Sequence, residues 1–223
     1  MAAGRTREAA PVCYSLPEVT DMARNNMDRP TMKISYNAPV ALTFAILSLL
    51  ALVVNHFTAN DWANFNLFSV HRIVGPPSDL LTNPLTWFRF FGHVLGHSGY
   101  AHYIGNMVLI LVLGPNLEDR FGSWTVLFAI LLTALVSGVV QYAFFPGTAL
   151  LGASGVVFMM ILLSSFGGVR NGTIPTTLIL VAVFYLGGEL WDAIFVDDNI
   201  SQLTHIIGGL CGTVLGFALS GKK

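Results

Sequence analysis

Six separate stretches of this chain come near the length of a membrane-crossing helix, and this limits the fold more than any motif does. They run over approximately Tyr36–Asn55, Tyr100–Leu117, Trp124–Phe145, Leu150–Gly167, Ile174–Trp191 and Leu203–Ser220, where about 20 predominantly apolar residues are needed to cross hydrocarbon. Backbone in lipid must satisfy its own hydrogen bonds, and a helix does so within one segment. The expected fold class is therefore all-α: a polytopic membrane protein of six transmembrane helices over residues 36–223, preceded by a polar tail at residues 1–35. The tail lacks an apolar run of signal-peptide length and is expected to be flexible and cytoplasmic. Composition agrees with this class, because only 10% of the 223 residues are charged, against about 25% in a soluble domain.

The sparse charges are informative in their placement. With the N-terminus inside, Arg5, Arg7, Arg24, Arg29, Lys33, Arg120, Arg170, Lys222 and Lys223 all fall on the cytoplasmic side, and only Arg72 and Arg89 fall outside. The positive-inside rule therefore predicts an N-in, C-in topology. Lys and Arg (11) nearly balance Asp and Glu (12), so no basic field points to a nucleic-acid partner. Cys13 in the tail and Cys211 in the last apolar stretch do not form a disulfide framework.

The connection from His56 to Gly99 is too long for a simple turn. Its first half, with Pro76, Pro77 and Pro84, reads as irregular. Its second half, TWFRFFGHVLGHSG, mixes Trp87, Phe88, Phe90 and Phe91 with Arg89 and His93, a composition that suits a short helix lying at the membrane–water interface.

Polar groups at membrane depth are costly and tend to mark function. In the predicted topology the second, fourth and sixth stretches run in the same direction, and each opens with such groups. The second places His102 and Asn106 four residues apart on one helical face. The fourth opens with Gly152-Ala153-Ser154-Gly155, and the sixth with Thr204-His205. Small residues at Gly208, Gly212 and Gly216 make a ridge that admits a close neighbour, and Gly152 and Gly155 offer a matching smooth patch around Ser154. If those surfaces meet, His205 lies beside Ser154 and can accept its hydroxyl proton. Unpaired amides in the first turn after Ser154 suit an oxyanion, with His102 and Asn106 as side-chain donors. No carboxylate is obviously placed to orient His205, so a Ser–His dyad is expected, its imidazole held by packing against Phe158, one turn below Ser154.

In this order and spacing the residues resemble the rhomboid intramembrane serine proteases over roughly Pro84 to the C-terminus. The motifs are His102-Tyr103-Ile104-Gly105-Asn106 with His97 upstream, Glu118-Asp119-Arg120, Gly152-Ala153-Ser154-Gly155, and His205-Ile206-Ile207-Gly208-Gly209-Leu210-Cys211-Gly212. Each is weak alone; together and in order they are specific. The resemblance implies a rhomboid-like bundle with a membrane-dipping first loop, Ser154 as nucleophile, His205 as general base, and an oxyanion site made by His102, Asn106 and the Ser154 amide. It also implies that Glu118 and Arg120 brace the cytoplasmic end of the second span, that the fifth span helps gate substrate entry, and that the substrates are transmembrane segments of other proteins, cut near the outer face without metal or cofactor. Two positions depart from the family pattern: Phe88-Arg89 stands where many members have Trp-Arg, and Phe158 where some have Tyr.

Other readings compete. Ser154 can be a packing serine and His205 a buried imidazole, while His102 and Asn106 can merely bridge helices. His93, His97 and His102 invite a zinc reading, but no His-Glu-x-x-His pattern or nearby carboxylate supports it, and His97 reads as a structural hydrogen-bonding residue. At the level of the whole protein, a silent rhomboid-like protein that binds membrane clients is the main alternative to an enzyme. A transporter or channel fits less well, since the polar residues share one level and do not line a path. A bacterial inner membrane is the expected location, with a mitochondrial inner membrane as the alternative.

Overall fold

The computed structural model describes residues 37–72, 83–168 and 199–220, together with Thr176, Ile179, Leu180, Val183, Phe184 and Gly187 of the fifth apolar stretch, each of them helical. The tail expected over residues 1–35 lies outside the described residues, as do Glu189, Asp192, Asp197 and Asp198, the carboxylates that precede the last apolar stretch in sequence.

Helix α1, Pro39–Phe57, carries no charged residue and starts without a capping side chain of its own, since Ala38 is its N-cap. Its cap comes from elsewhere in the chain: the buried Glu118 carboxylate accepts from the Val40 amide at 3.1 Å and the Ala41 amide at 2.8 Å. Two of the orphan donors of a helix N-terminus are thereby satisfied by a negative charge, the sign its dipole favours. The Ser123 hydroxyl donates to the same carboxylate at 2.6 Å. Glu118 thus ties the start of α1 to the end of the next long helix, as a brace. Arg120 is exposed and lies 5.3 Å from the Phe121 ring on its own helix.

Pro76 and Pro77 lie outside the described residues, and the part of the long connection before them forms short regular elements. After a short 3-10 turn at Ala59–Asp61 come α2, Trp62–Asn66, and β1, Val70–His71. Side-chain amides, invisible to hydrophobic periodicity, hold this segment: Asn55 Nδ2 donates to Asp61 Oδ1, and Asn55 Oδ1 accepts from the Asn64 amide, both at 2.9 Å. The strand β1 pairs antiparallel with β2, Ala149–Leu150, with Val70 opposite Leu150. That pairing brings the connection to the segment leading into Ser154.

The second half forms α3, Pro84–Gly92, with Pro84 in its first turn and Asn83 as N-cap, its side chain accepting from the Leu85 amide at 3.0 Å. Pro84 therefore opens a helix, as its missing N–H and fixed φ allow. Leu85, Trp87, Phe88 and Phe91 are exposed while Thr86, Arg89 and Phe90 are buried, the two-faced pattern of a helix lying at an interface. Arg89 Nε donates to the Asn66 carbonyl at 2.8 Å, securing α3 to α2.

Helices α4, Tyr100–Phe121, and α5, Ser123–Phe144, meet at the single residue Gly122, whose φ of 82° lies in the left-handed region that a side chain disfavours. Helix α6, Ser154–Gly168, and α7, Asn199–Ser220, complete the described bundle. Among the described residues α1 and α5 are long and apolar enough to cross a membrane. The surface agrees with that. Ile46, Leu50 and Val54 of α1, Val108 and Val112 of α4, Phe128 and Val139 of α5 and Ile206, Leu210 and Val214 of α7 are exposed, whereas Asn55, Asn106, Glu118, Gln141 and His205 are buried. Water would favour the opposite arrangement.

Candidate active site

Packing of α6 on α7 is set by backbone contact. A Cβ built on Gly208 would fall against the Gly155 carbonyl and 3.0 Å from the Gly155 Cα, and one on Gly212 would lie 3.0 Å from the Met159 Cα. The ridge read from the sequence therefore meets α6 at Gly155 and, one turn on, at Met159. Two successive turns of α7 therefore present bare backbone to the backbone of α6, which gives close approach. At the top of this seam a Cβ on Gly155 would touch Thr204 Cγ2 at 3.0 Å, so the residue before His205 lies against the residue after Ser154. His205 is buried, and its ring stacks on Phe158 with centroids 4.5 Å apart and planes 13° from parallel. Phe158 follows Ser154 by four residues, so the stack continues the helical face that the half-buried Ser154 begins.

Gly152 differs from the expectation that it joins Gly155 in facing the last helix. Its φ is 126°, and a Cβ there would lie 2.9 Å from Cε1 and 3.1 Å from Nε2 of His102. The reason is the turn itself: left-handed backbone at Gly152 directs its open side toward α4 while Gly155, already helical, faces α7. One small residue admits an imidazole and the other admits a helix. Asn106 is buried and donates from Nδ2 to the His102 carbonyl at 3.0 Å, which engages one of its two N–H groups.

His93 and His97 serve as supports for this cluster. His93 Nδ1 pairs with the Arg89 carbonyl at 3.1 Å and Nε2 with the Ser137 hydroxyl at 3.2 Å. Its own carbonyl accepts from the Gly152 amide at 2.9 Å, fixing the turn before Ser154. His97 Nδ1 pairs with the Leu95 carbonyl at 3.1 Å, its carbonyl accepts from Asn64 Nδ2 at 2.9 Å, and its ring stands edge-on to His102 at 5.0 Å. The sequence marks His97 as structural and His93 as part of the interfacial segment or of a metal reading; the four-residue offset of His93 from Arg89 is the local signal of a side chain bonding back along a helix.

Burial pushes the pKa of His93 down to about 4. Burial, reinforced by the nearby His102, does the same for His97. Both lie below the ordinary value near 6.5, so protonation favours the unfolded chain. Stability is expected to be complete above about pH 6.5 and to be lost as pH falls toward about 4, with a ceiling on the order of 3 kcal/mol per imidazole. Thermal unfolding in detergent between pH 8 and pH 4 checks this, and His93→Gln should flatten part of the decline.

Apolar helices around an inward-facing cluster of Ser, His and Asn define an integral membrane protein with a polar site inside its bundle. Residues 84–222 match the Rhomboid domain, and the chain belongs to the rhomboid family. It is 28% identical over 141 residues to rhomboid-related protein 1 of Caenorhabditis elegans, covering 59% of this chain and 40% of that protein. It is also 28% identical over 164 residues to rhomboid-related protein 2 of Mus musculus, covering 63% and 53%. A further relative is the rhomboid protease GlpG of Pectobacterium atrosepticum, 28% identical over 137 residues, with 60% and 49% covered. The chain therefore spans about half the length of these curated relatives.

Proposed function

We propose that this protein is an intramembrane serine endopeptidase acting on transmembrane segments of other membrane proteins near the outer face of the bilayer. The observation that carries the reading is the stack of Phe158 on His205, on the face of α6 that Ser154 heads. It offers an imidazole held by packing, one helical turn along α6 from a serine at a helix mouth. In this reading the Ser154 proton passes to His205 as Oγ bonds the substrate carbonyl carbon. The tetrahedral oxyanion is met by the Ser154 amide and by side-chain N–H groups of His102 and Asn106. Collapse expels the amine, which takes the proton from His205. Water, deprotonated by the same base, then cleaves the acyl-enzyme and restores Ser154.

The proposal includes six spans with both termini inside, on the charge distribution, and a bacterial inner membrane as location, on the sparse charge. The fifth span is assigned to gating from the family resemblance. Arg120 completes the cytoplasmic brace with Glu118 in this reading. Labelling with a fluorophosphonate probe tests it: folded wild-type protein should be labelled and Ser154→Ala should not. A folded wild-type protein that takes no label would favour the client-binding alternative.

A further inference from the structure

His102 presents two ring edges to two different neighbours. Nδ1 lies 3.1 Å from the hydroxyl of Ser98, four residues earlier across the start of α4. The opposite edge, Cε1 and Nε2, lies over the bare Cα of Gly152, two residues before Ser154. The ring is bounded on both sides, by Gly152, whose amide is tied to the His93 carbonyl at 2.9 Å, and by the ring of His97 at 5.0 Å.

An imidazole so placed can still hold its proton on either nitrogen, and the two tautomers have opposite effects on a developing oxyanion. With the proton on Nε2 the ring donates toward the Ser154 end of α6. With the proton on Nδ1 it presents a lone pair there, which repels negative charge. The Ser98 hydroxyl can donate to Nδ1 or accept from it, and the direction of that bond goes with the tautomer. A serine hydroxyl can rotate its proton onto Nδ1, leaving the ring proton to Nε2. The same bond selects the ring flip, because turning the ring by half a revolution would replace Nδ1 with a carbon opposite Ser98.

We propose that Ser98 is a positioning residue whose hydroxyl donates to Nδ1 of His102 and thereby keeps the His102 proton on Nε2, facing the oxyanion. The inference rests on the reading of His102 as an oxyanion donor. Ser98 is exposed and precedes the helix, so its side chain fills no core position and its loss removes little packing.

The test uses the full chain in detergent, labelled with nitrogen-15 at histidine, with the His102 signals assigned through His102→Gln. Wild-type His102 should show a proton-bearing Nε2 and an accepting Nδ1. In Ser98→Ala the spectrum should move toward a mixture of tautomers, and kcat on a model transmembrane substrate should fall about 10- to 100-fold, the scale of a misaligned oxyanion donor. KM and the thermal midpoint should change little, and Ser98→Thr should restore both tautomer and kcat. An unchanged tautomer in Ser98→Ala overturns the proposal, whatever happens to turnover, and so does a kcat loss that Ser98→Thr does not rescue. Cleavage that persists in Ser154→Ala would instead overturn the protease reading, and the tautomer measurement, which needs no turnover, separates the two failures.

Discussion

Ser154→Ala is expected to abolish cleavage of a model transmembrane substrate in liposomes while leaving the thermal midpoint of the protein in place. In the proposed mechanism the Ser154 hydroxyl forms the acyl-enzyme, and Ser154 is only half-buried, so removing one oxygen there costs little packing. Removing the nucleophile of a serine protease leaves only the residual rate that oxyanion stabilisation and binding supply, a loss on the order of 10⁶-fold in kcat for a soluble enzyme. His205→Ala should cost about as much, because nucleophile and base act as one unit and their losses do not add. Undiminished cutting by Ser154→Ala, measured by gel and mass spectrometry of the products, would sink the assignment. A fall in the thermal midpoint of His205→Ala is a separate matter, since that substitution also removes the ring stacked on Phe158.

Gly208→Ala should produce the largest structural effect of any small substitution on α7. The added methyl would meet the Gly155 carbonyl, a backbone atom that cannot turn aside. The two helices must separate at the level of Thr204 and Gly155, where His205 meets Phe158. Overpacking of a tight contact costs about 1–3 kcal/mol, and a backbone obstruction belongs at the upper end. Activity should fall further than stability alone requires, because the separation moves the base away from the α6 face headed by Ser154. Gly209→Ala is the matched control: its methyl would lie 3.3 Å from Leu162 Cδ1, the end of a side chain that can shift, and a small gain from better helix propensity offsets the crowding. Equal thermal midpoints for Gly208→Ala and Gly209→Ala would overturn the account of the seam.

Much of this was legible in residue order because membranes make patterning strict. The helices α1, α4, α5, α6 and α7 fall within a few residues of the apolar stretches predicted for them, since lipid admits no backbone that is not internally bonded. Gly208 and Gly212 were legible as a contact surface for the same kind of reason: a run of small residues at helical spacing has little use except close approach. Phe158 was legible as the support of His205 from its position one turn below Ser154.

Other features needed the fold. The Asn55, Asp61 and Asn64 bonds that order the start of the first connection depend on side-chain partners that hydrophobic periodicity does not report. Strand β1 pairs with residues about 80 positions away, a distance over which no local pattern carries information. The division of labour between Gly152 and Gly155 turned on a single positive φ, and the work of His93 and Ser98 on the packing of a loop against α4 and α6.

Taken by itself, the chain determined its class, the number of its apolar stretches and which polar residues are too expensive to bury without purpose, because burial of charge and backbone in lipid is a cost each segment bears locally. The tertiary structure decided which of those residues meet. Whether an imidazole faces a serine, a glycine or another imidazole depends on the register between helices far apart in sequence, and that register is set by backbone contacts such as Gly208 on Gly155 that only the packed bundle contains.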